Sequence, residues 1–316
     1  MLQDRSDIIE KAYKLINEPI DPNLRVPLEL VDIVDYDEAE PGETVEYFAS
    51  SAQDRAADDL YVADAAGTLT YHKVPLKTVT ALTFTGLQSL LETVLIDEIL
   101  NSKDQGALAA KKDGIIRAMD KEEVRRILNL CLAVPSQEVS AASGEDLLDA
   151  IVKMKQKISD YATDYILLLG ATVSNQLDTY DIDNATNFQY RMGIKQMLAE
   201  MGIKNIVKVI GTVAVSGAVG GDVLAATKGI LIGRDSSLAK GRPIKFFRRK
   251  FTKQVAELSG ANEGAVRLID IAKTPIVVNA ANANTLGYGV LGYESIIQVL
   301  TNYRAIAWCQ DFNLHA

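Results

Sequence analysis

The spacing of apolar positions changes several times along this chain, and each change marks an element. In residues 1–18, Ile8, Ile9, Ala12, Leu15 and Ile16 recur at helical intervals, which predicts a short amphipathic helix. Pro19, Pro22, Pro27 and Pro41 follow among short alternating runs. They forbid a long helix and favour an extended arm that lies over another surface. Strand-like alternation returns in "ETVEYFA", breaks at the polar "SSAQDRAADD", and resumes in "LYVADAAGTLTYHKVPLKTVTALTF". With a turn signal at Gly67, the expected element is a long two-stranded projection with a polar tip. Such a ribbon is marginal in water and needs a partner surface.

Helical spacing then takes over. "GLQSLLETVLIDEIL" (86–100) predicts one helix. "QGALAAKKDGIIRAMDKEEVRRILNLCLAV" (105–134) predicts a second of about eight turns, ended by Pro135. Its apolar set includes Leu108, Ile115, Ile116, Met119, Val124, Ile127, Leu128 and Cys131. "SGEDLLDAIVKMKQKISDYA" opens a third, with Ser143 as N-cap and Asp146 three residues on. "TDYILLLGATVSNQL" reads as a buried strand and a short helix, "NFQYRMGIKQMLAEMG" as a helix stopped by Gly202, and "IKNIVKVIGTVAVS" as a strand pair. The closing "GYESIIQVLTNYRAIAWCQDFNLHA" is mostly β.

Charge sharpens this picture. The chain has 316 residues and a net charge of −9. Residues 1–60 hold 16 acidic against 5 basic side chains, a balance of −11, so the rest is close to neutral. Residues 234–253, "RDSSLAKGRPIKFFRRKFTK", carry 8 basic side chains and one acidic. Two opposite faces of this kind are either separately solvated or meet, within a chain or between copies. The longest uncharged run, Thr274 to Tyr293, is too rich in Asn and Gly for a membrane helix. Cys131 and Cys309 stand far apart in apolar contexts and fit buried reduced thiols.

Candidate chemistry is thin. The glycines of "VSGAVGGDVLAATKG" (Gly217, Gly220, Gly221) match neither dinucleotide nor Walker spacing, so a loop between strands is the favoured reading. With only His72, in an expected strand, and His315, the penultimate residue, a triad is hard to build and each reads as a satisfied or exposed side chain rather than a base, and two Cys with two His share no zinc-ligand spacing. "DTYDIDNATN" has carboxylates, but counting from Asp181 puts Thr186 and Met192 where a calcium loop needs Gly and Glu. In "KFFRRKF", strand alternation places Phe246 or Phe247 inward and the arginines outward, against another protein surface. No catalytic, metal or cofactor site is expected.

The order of these segments resembles that of tailed-bacteriophage major capsid proteins with the Hong Kong 97 type fold. "PLELVDIVDYDEAEPGETVEYFA" looks like their arm, residues near 47–80 their extended loop, and "QGALAAKKDGIIRAMDKEEVRRILNLCLAV" their spine helix. "GEDLLDAIVKMKQKISDYATDYILLLGATVSNQL" and "GDVLAATKGILIGRDSS" resemble axial-domain stretches, and "ESIIQVLTNYRAIAWCQDF" the final peripheral strand. The resemblance implies an α+β chain divided into an arm (1–46), an extended loop (47–80), a peripheral domain (81–142), an axial domain (143–290) and return strands to the peripheral domain (291–316). It implies a non-enzymatic shell subunit of a virion, assembled in the host cytoplasm as hexamers and pentamers. Packaged DNA, a separate scaffolding protein, portal and decoration proteins are the partners implied, with no membrane. No lysine lies between Ser50 and Tyr71, so a cross-linking lysine of the kind some relatives carry on this loop is not expected. Arg234, Arg242, Lys245, Arg248, Arg249 and Lys250 are the candidate subunit-interface residues. Two other readings stay open: an encapsulin-like compartment of the same fold, and an α/β nucleotide-binding enzyme using the glycine loop.

Overall fold

The computed structural model describes residues 30–48, 79–81, 85–88, 92–95, 106–140, 147–183, 193–213, 221–234, 241–258, 264–277, 286–310 and 312. The helix expected over 1–18, the tip of the expected projection, Ser143, His72 and His315 lie outside them. In chain order the strands are β1 (Val34–Ala39), β2 (Glu46–Phe48), β3 (Val79–Ala81), β4 (Thr85–Gln88), β5 (Glu92–Leu95), β6 (Glu138–Val139), β7 (Asp164–Leu169) and β8 (Ile203–Lys208). They continue with β9 (Thr212–Val213), β10 (Gly221–Asp222), β11 (Gly229–Arg234), β12 (Ile244–Arg249), β13 (Arg267–Val277), β14 (Leu286–Leu300) and β15 (Ile306–Cys309). The helices are α1 (Gly106–Leu132), α2 (Leu147–Ile158), α3 (Ala171–Asp183), α4 (Gly193–Glu200) and α5 (Lys253–Leu258). The chain is α+β.

Two larger sheets organise these elements. One has the order β6-β15-β11-β7-β8. Beside its middle strand, β11, lies β7, whose run Tyr165 to Leu169 is buried throughout because both faces are covered. Leu167 and Leu169 face α2 and α3, joining Ala150, Ile151, Met154, Val173 and Leu177. Ile166 and Leu168 face the opposite way, toward Val124, Ile127, Leu128 and Cys131 of α1.

The other sheet is built on β14, which pairs antiparallel with β12, β13, β4 and β5. Ile244 and Phe246 of β12 and Ile296 of β14 enter the same apolar cluster as the C-terminal half of α1. That helix, about 40 Å long at the standard rise, therefore ties the two sheets together. Each fully buried Leu or Ile there contributes about 1.5–3 kcal/mol. At the sheet edge β1 lies parallel to β12, Val34 opposite Ile244 through Ala39 opposite Arg249.

Two glycines serve geometry. Gly202 ends the turn after α4 with φ +84°, a conformation that favours glycine, and its N–H donates to the Ala199 carbonyl. At Gly170, between β7 and α3, a Cβ would sit 2.2 Å from the carbonyl oxygen of Ala225 and 2.7 Å from that of Ala226. The Ala226 oxygen accepts the first N–H groups of α3, from Thr172 and Val173, so that close approach is also the helix cap.

Three expectations differ from what is observed. Residues 86–100 contain strands β4 and β5, where a helix was expected, because β14 offers an open ladder that outweighs local propensity. A boundary at 290/291 falls inside β14, and β12 and β13 share its sheet although they fall within 143–290. The final strand, β15, does not return to that sheet: it pairs with β11 and β6 in the five-stranded one.

Candidate assembly surfaces and a buried ion-pair cluster

The acidic and basic segments meet inside a single chain. Parallel pairing sets β1 against β12, and the side chains at both ends complete the seam. Arg242 donates from Nη1 to the Val34 carbonyl at 2.5 Å, with its Nη2 4.0 Å from Asp32. Arg249 donates from Nη2 to the Glu43 carbonyl at 3.0 Å. Lys250 reaches Glu40 at 2.6 Å and Glu38 at 3.8 Å. The hydrogen bond to Glu40 holds the Lys250 ammonium above its ordinary pKa. Lys245 stands in register with Asp35 and is half-buried. Arg234 is elsewhere, at the end of β11 in the five-stranded sheet, where its carbonyl accepts from Thr163. The sequence set is thus split between two sheets.

Arg248 corrects the sequence expectation. Strand parity puts it on the same face as Phe246, and its side chain is 0% exposed. It donates from Nε and Nη2 to the two carboxylate oxygens of Glu123 on α1, at 2.7 and 2.6 Å. Its guanidinium lies 5.6 Å from the centre of the Tyr36 ring and 5.4 Å from that of Phe246. The arm strand therefore covers this ion pair, and Arg248 has no surface left for a neighbour.

Glu123 also receives Arg267 of β13, whose Nη2 is 2.9 Å from Oε2. Arg267 extends its other nitrogens to Asp120 of α1 (Nη1, 2.5 Å) and Glu294 of β14 (Nε, 2.6 Å). Burial opposes the Arg267 charge, but Glu123, Glu294 and Asp120 together hold its pKa above the ordinary value. Glu294 is the carboxylate of the cluster with the fewest compensating contacts among the described residues. Among the described residues it accepts from Arg267 alone, and its Oε1 is buried with no hydrogen-bond partner. Burial, reinforced by the nearby Glu123 charge, pushes its pKa up to about 7 against the pull of Arg267 and Arg248.

Sequence reading missed this cluster, but a signal was present. Glu123 falls four residues after Met119 and four before Ile127, on the buried stripe of α1. A carboxylate at a core position demands a cationic partner. What could not be read was which cation meets it, because Arg248 and Arg267 arrive from strands more than a hundred residues away.

The remaining candidate motifs yield little chemistry. β9 and β10 pair antiparallel on either side of residues 214–220, so the glycine-rich segment connects two paired strands. Asp178 to Asp183 belong to α3, and among the described residues no group of His, Cys, Asp and Glu is placed to hold a metal ion. Cys131 and Cys309 are both buried thiols, and burial pushes Cys131 up to about 12. No helix among the described residues is long and apolar enough to cross a membrane.

No known family profile and no curated protein sequence matches the chain. Solved structures similar to it include a phage-related protein from Bordetella bronchiseptica, at 16% identity and a TM-score of 0.49, with 96% of this chain and 97% of that one covered. A virus-like particle protein from Pyrococcus furiosus aligns at 10% identity and a TM-score of 0.47, over 96% and 98% of the two chains. The capsid protein of the cyanophage P-SCSP1u aligns at 11% identity and a TM-score of 0.47, over 87% and 85%.

Proposed function

We propose that this chain is the shell subunit of an icosahedral phage head, a Hong Kong 97 type capsid protein that assembles with copies of itself around double-stranded DNA. The observation that carries the reading is the arrangement of the N-terminal third. β1 is laid on the sheet edge, and β2 pairs antiparallel with β3, bringing the two ends of residues 49–78 side by side. A long helix on a long-stranded sheet follows, then an α/β unit, in the order expected of such a subunit. In this reading β1 stays on its own subunit, and the contacts across neighbouring copies come from the rest of the arm and from the 49–78 segment. Arg234, Arg242, Lys245, Arg249 and Lys250 lie at or near subunit boundaries. The subunit acts by assembly, with no catalysis and no cofactor, and functions in the virion after assembly in the host cytoplasm.

Electron microscopy of the purified protein, with nuclease treatment of any particles, tests this. The expected result is closed shells, containing nuclease-protected DNA when recovered from phage. Closed shells that hold only protein cargo would replace the phage reading with a cellular compartment. A chain that never forms closed particles, or that binds nucleotides saturably, would overturn both.

A further inference from the structure

We propose that Glu294 is the proton-binding residue of a pH-sensitive clamp that holds α1 against the β12–β14–β13 sheet. The inference does not depend on the shell reading. It starts from charge bookkeeping inside the cluster. Arg248 and Arg267 supply two positive charges, while Glu123, Asp120 and Glu294 supply three carboxylates. With every group ionised, these five residues carry one negative charge in excess.

Geometry decides which group carries it. Glu123 accepts two hydrogen bonds from Arg248 and has Arg267 Nη2 2.9 Å away, and Asp120, although burial raises its pKa as well, keeps 28% of its side chain in solvent. Glu294 has neither advantage: its side chain is 0% exposed, Arg267 is its one hydrogen-bonding donor among the described residues, and Oε1 is buried without a partner. The charged groups that face it are Arg267 from β13, Glu123 from α1 and Arg248 from β12. A proton taken from solvent onto Oε1 removes the excess charge and leaves Oε2 accepting from Arg267. The cluster then balances, two against two, and α1 is held most firmly. Loss of that proton restores a bare buried carboxylate beside Glu123 and weakens the contact.

The sign follows from the direction of the shift. The folded pKa of Glu294, about 7, lies above its ordinary value of 4.5. The folded chain therefore binds a proton that the unfolded chain has released, between those two pH values. Stability from this group falls as pH rises through that window and levels off above it. One differential proton corresponds to about a tenfold rise in the unfolding constant per pH unit.

Denaturant unfolding of the full chain at a series of pH values from 5 to 8, for the parent, Glu294→Gln and Asp120→Asn, tests the clamp. The expected result is that Glu294→Gln removes a pH dependence approaching tenfold per unit, while Asp120→Asn keeps it. Infrared spectroscopy of the unmodified protein supplies an independent reading if the Gln variant does not fold. A buried, protonated carboxyl band should be present at pH 5.5 and fade towards pH 8. An unchanged pH slope in Glu294→Gln, transfer of the lost slope to Asp120→Asn, or absence of a titrating carboxyl band would overturn the proposal.

Discussion

The two sheets hold α1 by different means. The five-stranded sheet offers Ile166, Leu168, Ile230, Ile232 and Trp308, an apolar face that attracts the helix without fixing its register. The sheet built on β14 offers Ile244, Phe246 and Ile296, and beside them Arg248 and Arg267 aimed at Glu123 and Asp120, with Glu294 pairing Arg267 from its own sheet. Ion pairs of this kind are directional. They contribute little net stability against a well-packed apolar alternative, but they penalise any sliding of the helix that separates the partners. Apolar contact supplies the attraction, and the buried charges select one position along the sheet.

The sharpest way to break this contrast is to remove the shared carboxylate. Glu123→Ala takes away the carboxylate that pairs with buried Arg248 and leaves Arg267 with Asp120 and Glu294, and the expected loss is about 3–5 kcal/mol by denaturant unfolding. Replacing the pair together, Glu123→Leu with Arg248→Met, should cost less than the single change, because the guanidinium that Glu123 held is removed with it. A double variant as unstable as the single one would mean that the ion pair contributes attraction rather than register.

On the apolar side, Leu168→Ala should cost about 2–5 kcal/mol from lost burial and the cavity left behind. Unlike changes at Glu294, it should leave the pH dependence of unfolding as it was, which the same pH series measures. Gly170→Ala tests a contact of another kind, since its Cβ would press on the backbone carbonyls of Ala225 and Ala226. A loss of about 1–3 kcal/mol is expected, read as a lower unfolding midpoint. The smallest effect belongs to the arm seam. Lys250 is 26% and Glu40 64% exposed, so Lys250→Gln should cost about 0–1 kcal/mol, and the difference should shrink in high salt.

The readable parts of the sequence were those where one short window contains the cause. Helix α1 ends near Pro135, the buried run of β7 is continuous, and Gly202 closes the turn after α4. The acidic and basic segments also announced a meeting, which the seam between β1 and β12 provides within the chain. The strands β4 and β5 were not readable, because their state is set by pairing with β14 and not by their own leucines and glutamates. Arg248 was misassigned for an avoidable reason. Once Phe246 is placed inward, a two-residue repeat places Arg248 inward too, whatever its charge. Its partner on α1 was equally visible as a glutamate on an apolar stripe, but pairing the two needs the fold.

Sedimentation velocity on the purified full chain, across a range of salt and protein concentration, tests the proposed function most directly. The account predicts a fast-sedimenting species of many subunits under some of these conditions, with the denatured material returning to single chains of 34.4 kDa. A 34.4 kDa monomer under every condition would contradict it.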